Sequence, residues 1–404
     1  MARVAITGMG AVSAAGIGAD TLWIAARDGV SGVRPLDIPR DETLRVRIAA
    51  SVPDFDAAAL LGGAVPRTSE RFTQFALVAA AEAVAQAGIA PADLTGRRSA
   101  AIIGTGVGGV GTIDDNCYLF YGTEVVARGE PMSVARVMPS SAVSHVSIAY
   151  GITGPSFGIV SACASGAQSI GVGAQMIRAG MVDRALVGAS EACITPVTMR
   201  GWEMLRVLSP RACRPFSADR TGMVLGEGAA VFLLESEDSL RARGGTPLAW
   251  LDGYGTSSDA RDMIQPDVEG AATAMREAID DAGVAPAKIG YVNAHGTGTV
   301  LNDANEAAAL RLVFGDHLDV LPVSSSKPIL GHTLGAAGAL ELIVAVQALR
   351  HQTVPPQANY SKPDPKCPLL LPVDGAVPAD LDAVLSNSFA FGGINATLLV
   401  RRAR

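Results

Sequence analysis

The chain has 404 residues, of which 49% are hydrophobic and 18% are charged, and its formal net charge is −7. The negative balance disfavours general nucleic-acid binding, which needs a basic face, while the hydrophobic share is sufficient for a large core. The length fits two domains or one large duplicated unit.

The cysteines and the first residues indicate the compartment. Five cysteines, an odd number with wide spacing and no CxxC pair, predict reduced thiols and no zinc site built on paired cysteines. The opening segment MARVAITGMGAVSAAG lacks the apolar core and cleavage site of a secretory signal. We therefore expect a cytoplasmic protein.

In the first half of the chain, strand-length apolar runs alternate with helix-like segments, which predicts α/β layers. Strands are predicted at 3–10, 99–109, 156–162, 184–191 and 229–236, and a helix at 69–88 that starts at a serine and stops at a glycine. From 146 to 177 no residue carries a formal charge, which is a length that can cross a bilayer. Because this stretch contains Gly154-Pro155 and many polar residues, we interpret it as a buried strand, turn and helix, not as a membrane segment.

The same alternation of predicted strands and helices is repeated in the second half of the chain. A strand is predicted at 248–256, a helix at 269–283, a strand and turn at 289–299, a long buried helix within 326–352, and two final strands joined through 391–393. Two successive halves predict a duplicated fold. The charged, Gly/Pro-containing segment RARGGTP places the boundary between domains at 1–245 and 246–404.

Cys163 stands in the segment IVSACASGAQ, between a predicted strand and a predicted helix. Its small neighbours allow a tight turn that resembles a nucleophile elbow. At a helix N-terminus the unpaired N–H groups and the positive end of the dipole favour a thiolate. The alternative is a buried, inert cysteine, which is the commoner fate of this residue type.

Of the five histidines, His295 in NAHGTGT and His332 in LGHTLGAAG each follow a strand or turn and have glycine and threonine neighbours, among them Thr297 and Thr299. A single such histidine is more often a satisfied core residue. Two such histidines together with Cys163 are a combination that chance does not readily produce, and we interpret the three residues as one site. The remaining histidines at 145, 317 and 351 are predicted to be structural or solvent-facing.

Lys327 precedes His332 by five residues, and Glu341 lies on the apolar helix that follows. A lone glutamate in AGALELIVAV is costly to bury without a cationic partner, and Lys327 is the nearest candidate. We expect this pair to lie beside His332 and to fix its tautomer and orientation. The alternative is that Glu341 lies at a solvent-exposed edge of the helix and needs no partner.

The motifs SACASG, NAHGTGT, SSSKPILGHTLGAAG and NSFAFGGIN, together with RPFSADRTGMVLGEGAA, resemble those of the elongating β-ketoacyl-(acyl-carrier-protein) synthases of the 3-oxoacyl synthase I/II group. The resemblance covers nearly the whole chain. It implies a thiolase-like α/β fold of five layers, αβαβα, with two pseudo-duplicated halves, usually as a homodimer. A heterodimer with a sister ketosynthase is also possible.

The resemblance also implies roles for individual residues. Cys163 would be the acylated nucleophile, and His295 and His332 would promote decarboxylation of a malonyl unit and stabilise the enolate. Lys327, with Glu341 as its partner, would lie beside them, and Thr297 and Thr299 would support the site. The backbone N–H groups of Cys163 and Phe391 would form the oxyanion hole, and the Phe391 side chain would act as a gate.

Further implied positions concern the substrates. Val107 would project from the subunit interface and limit acyl length, and Ala390 and Ile394 would line the substrate pocket. An acidic acyl carrier protein would dock on basic residues, for which the candidates are Arg67, Arg71, Arg128 and Arg206. No motif calls for a metal or an organic cofactor, and neither nucleic-acid binding nor membrane insertion is expected.

The sequence departs from the family pattern near the gate. Ala390 replaces a glycine, which would stiffen the hinge, and Ile394 replaces a threonine. The segments HGTGTVLNDANE and KPDPKC are closer to specialised condensing enzymes of polyketide, polyene or nodulation pathways than to housekeeping ones. Two rival functions stay open: a non-catalytic chain-length or scaffold partner, and a thiolase or Cys-His acyl hydrolase. Cys163 and both histidines disfavour the first.

Overall fold

The computed structural model describes residues 3–122 and 131–403. Its strands, numbered in chain order, are β1 (Val4–Ser13), β2 (Gly16–Ile17), β3 (Arg34–Pro35), β4 (Ile48–Ala49), β5 (Ser99–Gly104), β6 (Ser156–Ile159), β7 (Arg184–Glu191), β8 (Gly228–Ser236), β9 (Ala249–Ser258), β10 (Ile289–Asn293), β11 (Val323–Ser324), β12 (Thr353–Val354), β13 (Val377–Pro378), β14 (Ala383–Ala390) and β15 (Ile394–Arg402).

The helices of the described residues are α1 (Ala19–Asp28), α2 (Ala57–Leu61), α3 (Val65–Thr68), α4 (Arg71–Gln86), α5 (Val110–Tyr121), α6 (Ser133–Val137), α7 (Ser141–Tyr150), α8 (Ser165–Arg178), α9 (Pro196–Met204), α10 (Glu237–Ala242), α11 (Val268–Asp281), α12 (Val300–Phe314), α13 (Lys327–Leu330) and α14 (Ala337–His351). Short 3-10 turns precede α8, at Ala162–Ala164, and α14, at Leu334–Ala336.

The main sheet has two five-stranded parts with the same internal order. Its path runs β11-β10-β14-β15-β9-β1-β8-β7-β5-β6. In each part the chain order is first, fifth, fourth, second, third: β1-β8-β7-β5-β6 in one part and β9-β15-β14-β10-β11 in the other. The two parts meet where β1 pairs with β9 through Ala5↔Trp250 and Ile6↔Ala249. The identical order confirms the predicted pair of similar halves.

Helices cover both parts of the sheet and fill the space between them. Helix α4 packs outside β1 and β8, and α11 packs outside β9 and β15, while α8 and α14 contact each other between the two parts. The resulting layers are helix, sheet, helix, sheet, helix, as expected from the sequence. At the crossing of α8 and α14, a Cβ at Gly166 would lie 2.8 Å from the backbone nitrogen of Ala339, and one at Gly338 would lie 3.1 Å from that of Ala167. The two central helices therefore pack almost backbone to backbone.

The predicted elements agree with the observed ones, with shifts at their ends. The strand predicted at 99–109 stops at Gly104, and the one predicted at 156–162 stops at Ile159. Helix α4 is capped by the Glu70 carboxylate, which accepts from the Phe72 N–H, and not by the serine before it. The exact division at 245/246 stays a prediction.

The uncharged stretch 146–177 forms the end of α7, strand β6 and most of α8, as predicted. Among the described residues, one helical segment, Leu334–His351, is long and apolar enough to cross a membrane. Of this segment 89% is buried inside the fold. It is the central helix α14 with the turn before it, so its hydrophobicity belongs to the core.

Candidate active site

Cys163 lies in the 3-10 turn between β6 and α8 and is 7% exposed. The residue before it, Ala162, has a φ of 48°, a left-handed conformation that is uncommon for a residue with a side chain. Ser165 holds this turn: its Oγ accepts from the Ser161 N–H at 2.9 Å and donates to the Ala162 carbonyl at 2.7 Å. The predicted sharp turn is therefore present.

His332 lies in the equivalent place of the second half, between β11 and α14. Its backbone N–H donates to the Val224 carbonyl at 2.6 Å, and its own carbonyl accepts from the Gly226 N–H at 3.0 Å. The ring Nε2 is 3.1 Å from Cys163 Sγ, although the two residues are 169 positions apart in the chain. Within the described part of the chain, the ring Nδ1 has no hydrogen-bond partner.

His295 follows β10 and packs edge-on against His332, with ring centroids 5.4 Å apart. The backbone N–H groups of His295 and Gly296 each donate to the carboxylate of Glu306 at 2.8 Å, and Glu306 is itself buried on α12. This buried acceptor fixes the loop that carries the ring. Cys163, His295 and His332 thus meet at one place.

Lys327 and Glu341 form the predicted buried ion pair, with Nζ 2.5 Å from Oε1 and both side chains at most 1% exposed. The Lys327 ammonium also donates to the His295 carbonyl at 2.5 Å and lies 3.4 Å from His295 Nδ1. Of the two histidines, the lysine is bonded to His295, and no hydrogen bond among the described residues joins it to His332, so the predicted control of the His332 tautomer is not seen there. Helix α13 begins at Lys327 and is followed by Gly331, whose φ of 65° turns the chain before His332.

Burial dominates the protonation of the three central groups. It raises the pKa of the Cys163 thiol to about 12, and Lys327 only partly opposes this. The expectation of a resting thiolate was therefore wrong, because desolvation of the sulfur outweighs the helix terminus. Burial, and secondly the charge of Lys327, lowers the pKa of both His295 and His332 well below 6.5. Both rings are neutral at pH 7.

A cavity of about 290 Å³ leads to these groups. Cys163 and both histidines line it, and the hydroxyls of Thr297 and Thr299, 2.9 Å apart, lie on its wall. The remaining wall is mostly apolar. It includes Val207, Met223, Met263, Ile264, Val300, Leu301 and Phe389.

Phe391 stands at the turn of the β14–β15 hairpin, where Ala390 pairs with Ile394. Its ring is 36% exposed and stacks on Trp202 with centroids 5.7 Å apart. Phe391, Trp202 and Ala390 all line the cavity. Gly392 and Gly393 both have positive φ, so this turn requires residues without side chains.

Two predicted pocket residues lie away from this cavity. Ile394 does not line it and instead packs against the core between the two sheet parts. Val107 is 41% exposed and lies in the loop after β5, outside the cavity wall. Of the three positions assigned to the substrate pocket, the structure therefore brings only Ala390 to the cavity of this chain.

The proposed docking arginines differ in their surroundings. Arg206 is exposed and lies at the cavity, and Arg67 is exposed on α3, where its Nε donates to the Gly63 carbonyl at 3.1 Å. Arg71 forms a two-pronged ion pair with the buried carboxylate of Glu227, at 2.7 and 3.0 Å. Its charge is thus already matched within the fold. Arg128 lies outside the described residues.

The other histidines are structural or face solvent, as predicted. His145 Nδ1 donates to the Ser141 carbonyl at 2.9 Å, and His317 Nε2 donates to the Ile289 carbonyl at 3.1 Å. His351 stacks on Trp23 with centroids 5.3 Å apart.

Sequence reasoning did not identify Glu306, Trp202 or Glu191. Glu306 had a faint signal, since it is a glutamate among alanines in DANEAAAL, soon after His295. Glu191 ends an apolar strand, RALVGASE, where a single acidic residue is common at a surface edge. Trp202 had no distinguishing pattern.

Comparisons with known proteins agree over the full length. A model of the β-ketoacyl synthase N-terminal domain matches residues 1–239, and one of the C-terminal domain matches residues 248–361. The chain is 42% identical to Nodulation protein E of Rhizobium leguminosarum bv. trifolii over 409 residues, which covers 99% of each chain.

It is also 39% identical to 3-oxoacyl-[acyl-carrier-protein] synthase 2 of Coxiella burnetii over 408 residues, covering 99% of this chain and 98% of that one. A solved structure described as the ishigamide ketosynthase/chain length factor superposes with a TM-score of 0.96 at 34% identity and covers 100% of both chains.

Proposed function

This chain belongs to the β-ketoacyl synthase family, and from that premise we propose that it joins an acyl group held on Cys163 to the malonyl group of an acyl carrier protein. The reaction is a decarboxylative Claisen condensation that gives a 3-oxoacyl-carrier product, in fatty-acid or related polyketide or polyene synthesis. The observation that carries the assignment is the 3.1 Å contact between Cys163 Sγ and His332 Nε2 at the end of the cavity. A soft sulfur nucleophile beside a neutral imidazole suits acyl transfer between thioesters.

In the loading step, His332 acts as the base that a thiol with a raised pKa needs. Its Nε2 takes the proton of Cys163 as the sulfur adds to the carrier thioester. The bond between the acyl carbon and the carrier sulfur then breaks, and the carrier leaves as a thiol with the proton from His332. The acyl group stays on Cys163.

In the condensation step, the malonyl group loses CO2 and its bonding electrons form an enolate. The Nε2–H groups of His295 and His332 donate to the enolate oxygen and stabilise its charge. The α-carbon attacks the acyl carbonyl on Cys163, and the N–H groups of Cys163 and Phe391 are proposed to stabilise the new oxyanion. Collapse of this intermediate breaks the bond between the acyl carbon and Cys163 Sγ and releases a thiolate. The thiolate then takes one proton from solvent and returns to the thiol.

The carrier requires a route to Cys163 and a basic landing site. The cavity with Thr297 and Thr299 on its wall provides a route for a pantetheine-like arm, whose amides need hydroxyl partners. Arg67 and Arg206 are the proposed docking residues among those described, since Arg71 is paired with Glu227. We place the enzyme in the cytoplasm, as a homodimer or paired with a sister chain.

A second candidate, a non-catalytic partner subunit, arises because the solved relative at TM-score 0.96 is a ketosynthase/chain length factor pair. A chain that only measures product length has no need for a cysteine in contact with a histidine. The present site retains both groups, which favours the catalytic member of such a pair.

Intact-mass measurement after incubation with acyl carriers of graded chain length tests the function. The wild-type chain is expected to gain one acyl mass, and Cys163→Ala none, with the preferred length narrowing the pathway. Equal acylation of Cys163→Ala contradicts the assignment of the nucleophile. Absence of an adduct on the wild type at every length, with condensation restored only by a sister chain, supports the partner subunit.

A further inference from the structure

Glu191 lies at the end of β7, and its side chain is fully buried. One carboxylate oxygen accepts from the Thr105 hydroxyl at 3.0 Å. The other accepts from the backbone N–H groups of Gly106 at 2.6 Å and Gly335 at 3.0 Å. A single carboxylate therefore joins the loop after β5, in the first half, to a turn in the second half.

Both partners of Glu191 belong to the surroundings of the reacting groups. Gly335 lies in the 3-10 turn that begins two residues after His332. On the other side, the single proton of the Ser165 hydroxyl is shared between the Ala162 carbonyl at 2.7 Å, within the turn of Cys163, and the Thr105 carbonyl at 3.1 Å. Glu191 is thus one hydrogen bond away from the His332 turn and two away from the Cys163 turn.

The two turns contain strained backbone that needs such support. Ala162 precedes Cys163 with a φ of 48°, and Leu334 follows His332 with a φ of 45°. Residues with side chains persist in this conformation only where their surroundings fix them. The His332 turn also packs directly against the loop after β5, because a Cβ at Gly335 would lie 2.2 Å from the Gly106 nitrogen.

We infer that Glu191 is a positioning residue that sets the contact between Cys163 Sγ and His332 Nε2 by holding both turns in register. It touches neither substrate nor the reacting atoms. The inference deepens the proposed function and rests on it for the effect on condensation, whereas the effect on the cysteine–histidine contact is independent of the reaction.

The test compares Glu191→Gln with a matched control, Glu82→Gln. Glu82 is a half-buried carboxylate that also accepts two backbone N–H groups, from Ala11 at 2.9 Å and Ala19 at 2.8 Å, but it lies on α4 behind β1. In Glu191→Gln, the side-chain NH2 group would face groups that donate hydrogen bonds to the wild-type carboxylate. We expect kcat for condensation to fall about 100-fold, the size of effect that a misplacement of about 1 Å produces, with an unchanged KM. Glu82→Gln should alter kcat less than about threefold.

A second readout separates positioning from charge. The charge of Glu191 raises the pKa of Cys163, so if the carboxylate acted only through its charge, its removal would speed alkylation of Cys163 by iodoacetamide. Loss of the His332 contact slows alkylation instead. At pH 8, where a carboxyl whose burial raises its pKa to about 7 is mostly ionised, slower alkylation in Glu191→Gln supports the inference. An unchanged or faster rate overturns it.

Thr105→Val provides a milder variant if Glu191→Gln folds poorly. It removes one donor to the carboxylate and should slow both reactions about tenfold, the value of one hydrogen bond to a charged group. Rates equal to wild type in this variant count against the inference. If the wild type itself fails to condense carrier-bound substrates, the proposed function fails, and the alkylation rates still decide the role of Glu191.

Discussion

His295 and His332 have the same kinds of neighbours in the sequence but different hydrogen-bond environments in the fold. At His295 the Lys327 ammonium lies 3.4 Å from Nδ1. An ammonium has only donors, so Nδ1 accepts and the proton of the ring is on Nε2, next to the cavity. At His332 no described residue bonds to Nδ1, and Nε2 faces a thiol instead.

This difference shows that the buried Lys327, and not the histidine side chain by itself, determines which ring nitrogen carries the proton. His295 is fixed as a donor and suits stabilisation of an enolate. His332 keeps both tautomers available, so the same Nε2 can accept a proton during loading and donate one during condensation. One ring is specialised and the other changes role between the two steps.

Replacing each histidine separately gives the largest expected effect. His332→Gln should slow acylation of Cys163 about 1,000-fold, within the usual range for loss of a general base. His295→Gln should leave the rate of acylation within about threefold of wild type. It should slow condensation by about the same factor by which His332→Gln slows acylation. Pre-steady-state mass analysis of loading, and a separate assay of CO2 release, measure the two steps. Equal loss of loading in both variants would mean that the histidines are not divided in this way.

Lys327→Met removes the ammonium group that distinguishes His295 from His332. The substitution leaves the Glu341 carboxylate buried without its partner, and we expect the free energy of unfolding to fall by about 3–5 kcal/mol. The double variant Lys327→Met/Glu341→Met should recover most of that stability, since apolar replacements of buried ion pairs are often neutral. Chemical denaturation measures both.

Condensation should stay slow in the double variant, because the tautomer of His295 is no longer fixed. Loading through His332 should return to within about threefold of wild type. Full recovery of condensation along with stability would show that Lys327 serves the fold alone.

The smallest expected effect concerns pH. Burial lowers the pKa of both histidines well below 6.5, so below pH 6.5 the unfolded chain binds protons that the folded chain does not. The free energy of unfolding therefore decreases on acidification, by about 1.4 kcal/mol per histidine between pH 7.5 and 5.5. His295→Gln and His332→Gln should each lose that much less than wild type. Identical slopes in wild type and variants would contradict a neutral ring in the folded state.

The sequence predicted most of the fold because the periodicity of its apolar residues is strong. The final hairpin and the core helix α14 were predictable from composition and glycine punctuation. The identity of Cys163, His295 and His332 was also predictable, since each has small neighbours that leave space around a polar side chain.

What the sequence could not supply was the balance of opposing effects in space. Helix-terminus chemistry suggested a thiolate at Cys163, but the depth of burial, which spacing does not reveal, raises its pKa to about 12. Lys327 and Glu341 were correctly paired by the cost of burial, yet the hydrogen bonds of the lysine go to His295 and not, among the described residues, to His332. Glu191 joins loops from both halves, and no local pattern encodes such a link.

Strand β6 is the last strand of the sheet, and it leads directly into the turn of Cys163. Phe157 within it and Val160 just after it are 39% and 57% exposed, and one side of its backbone has no neighbouring strand among the residues that the structure describes. An open strand of this kind is a template for another chain. If the proposed second chain pairs with this strand, its loss on dilution would loosen the segment that leads to the sulfur, and assembly and turnover should then share one concentration dependence.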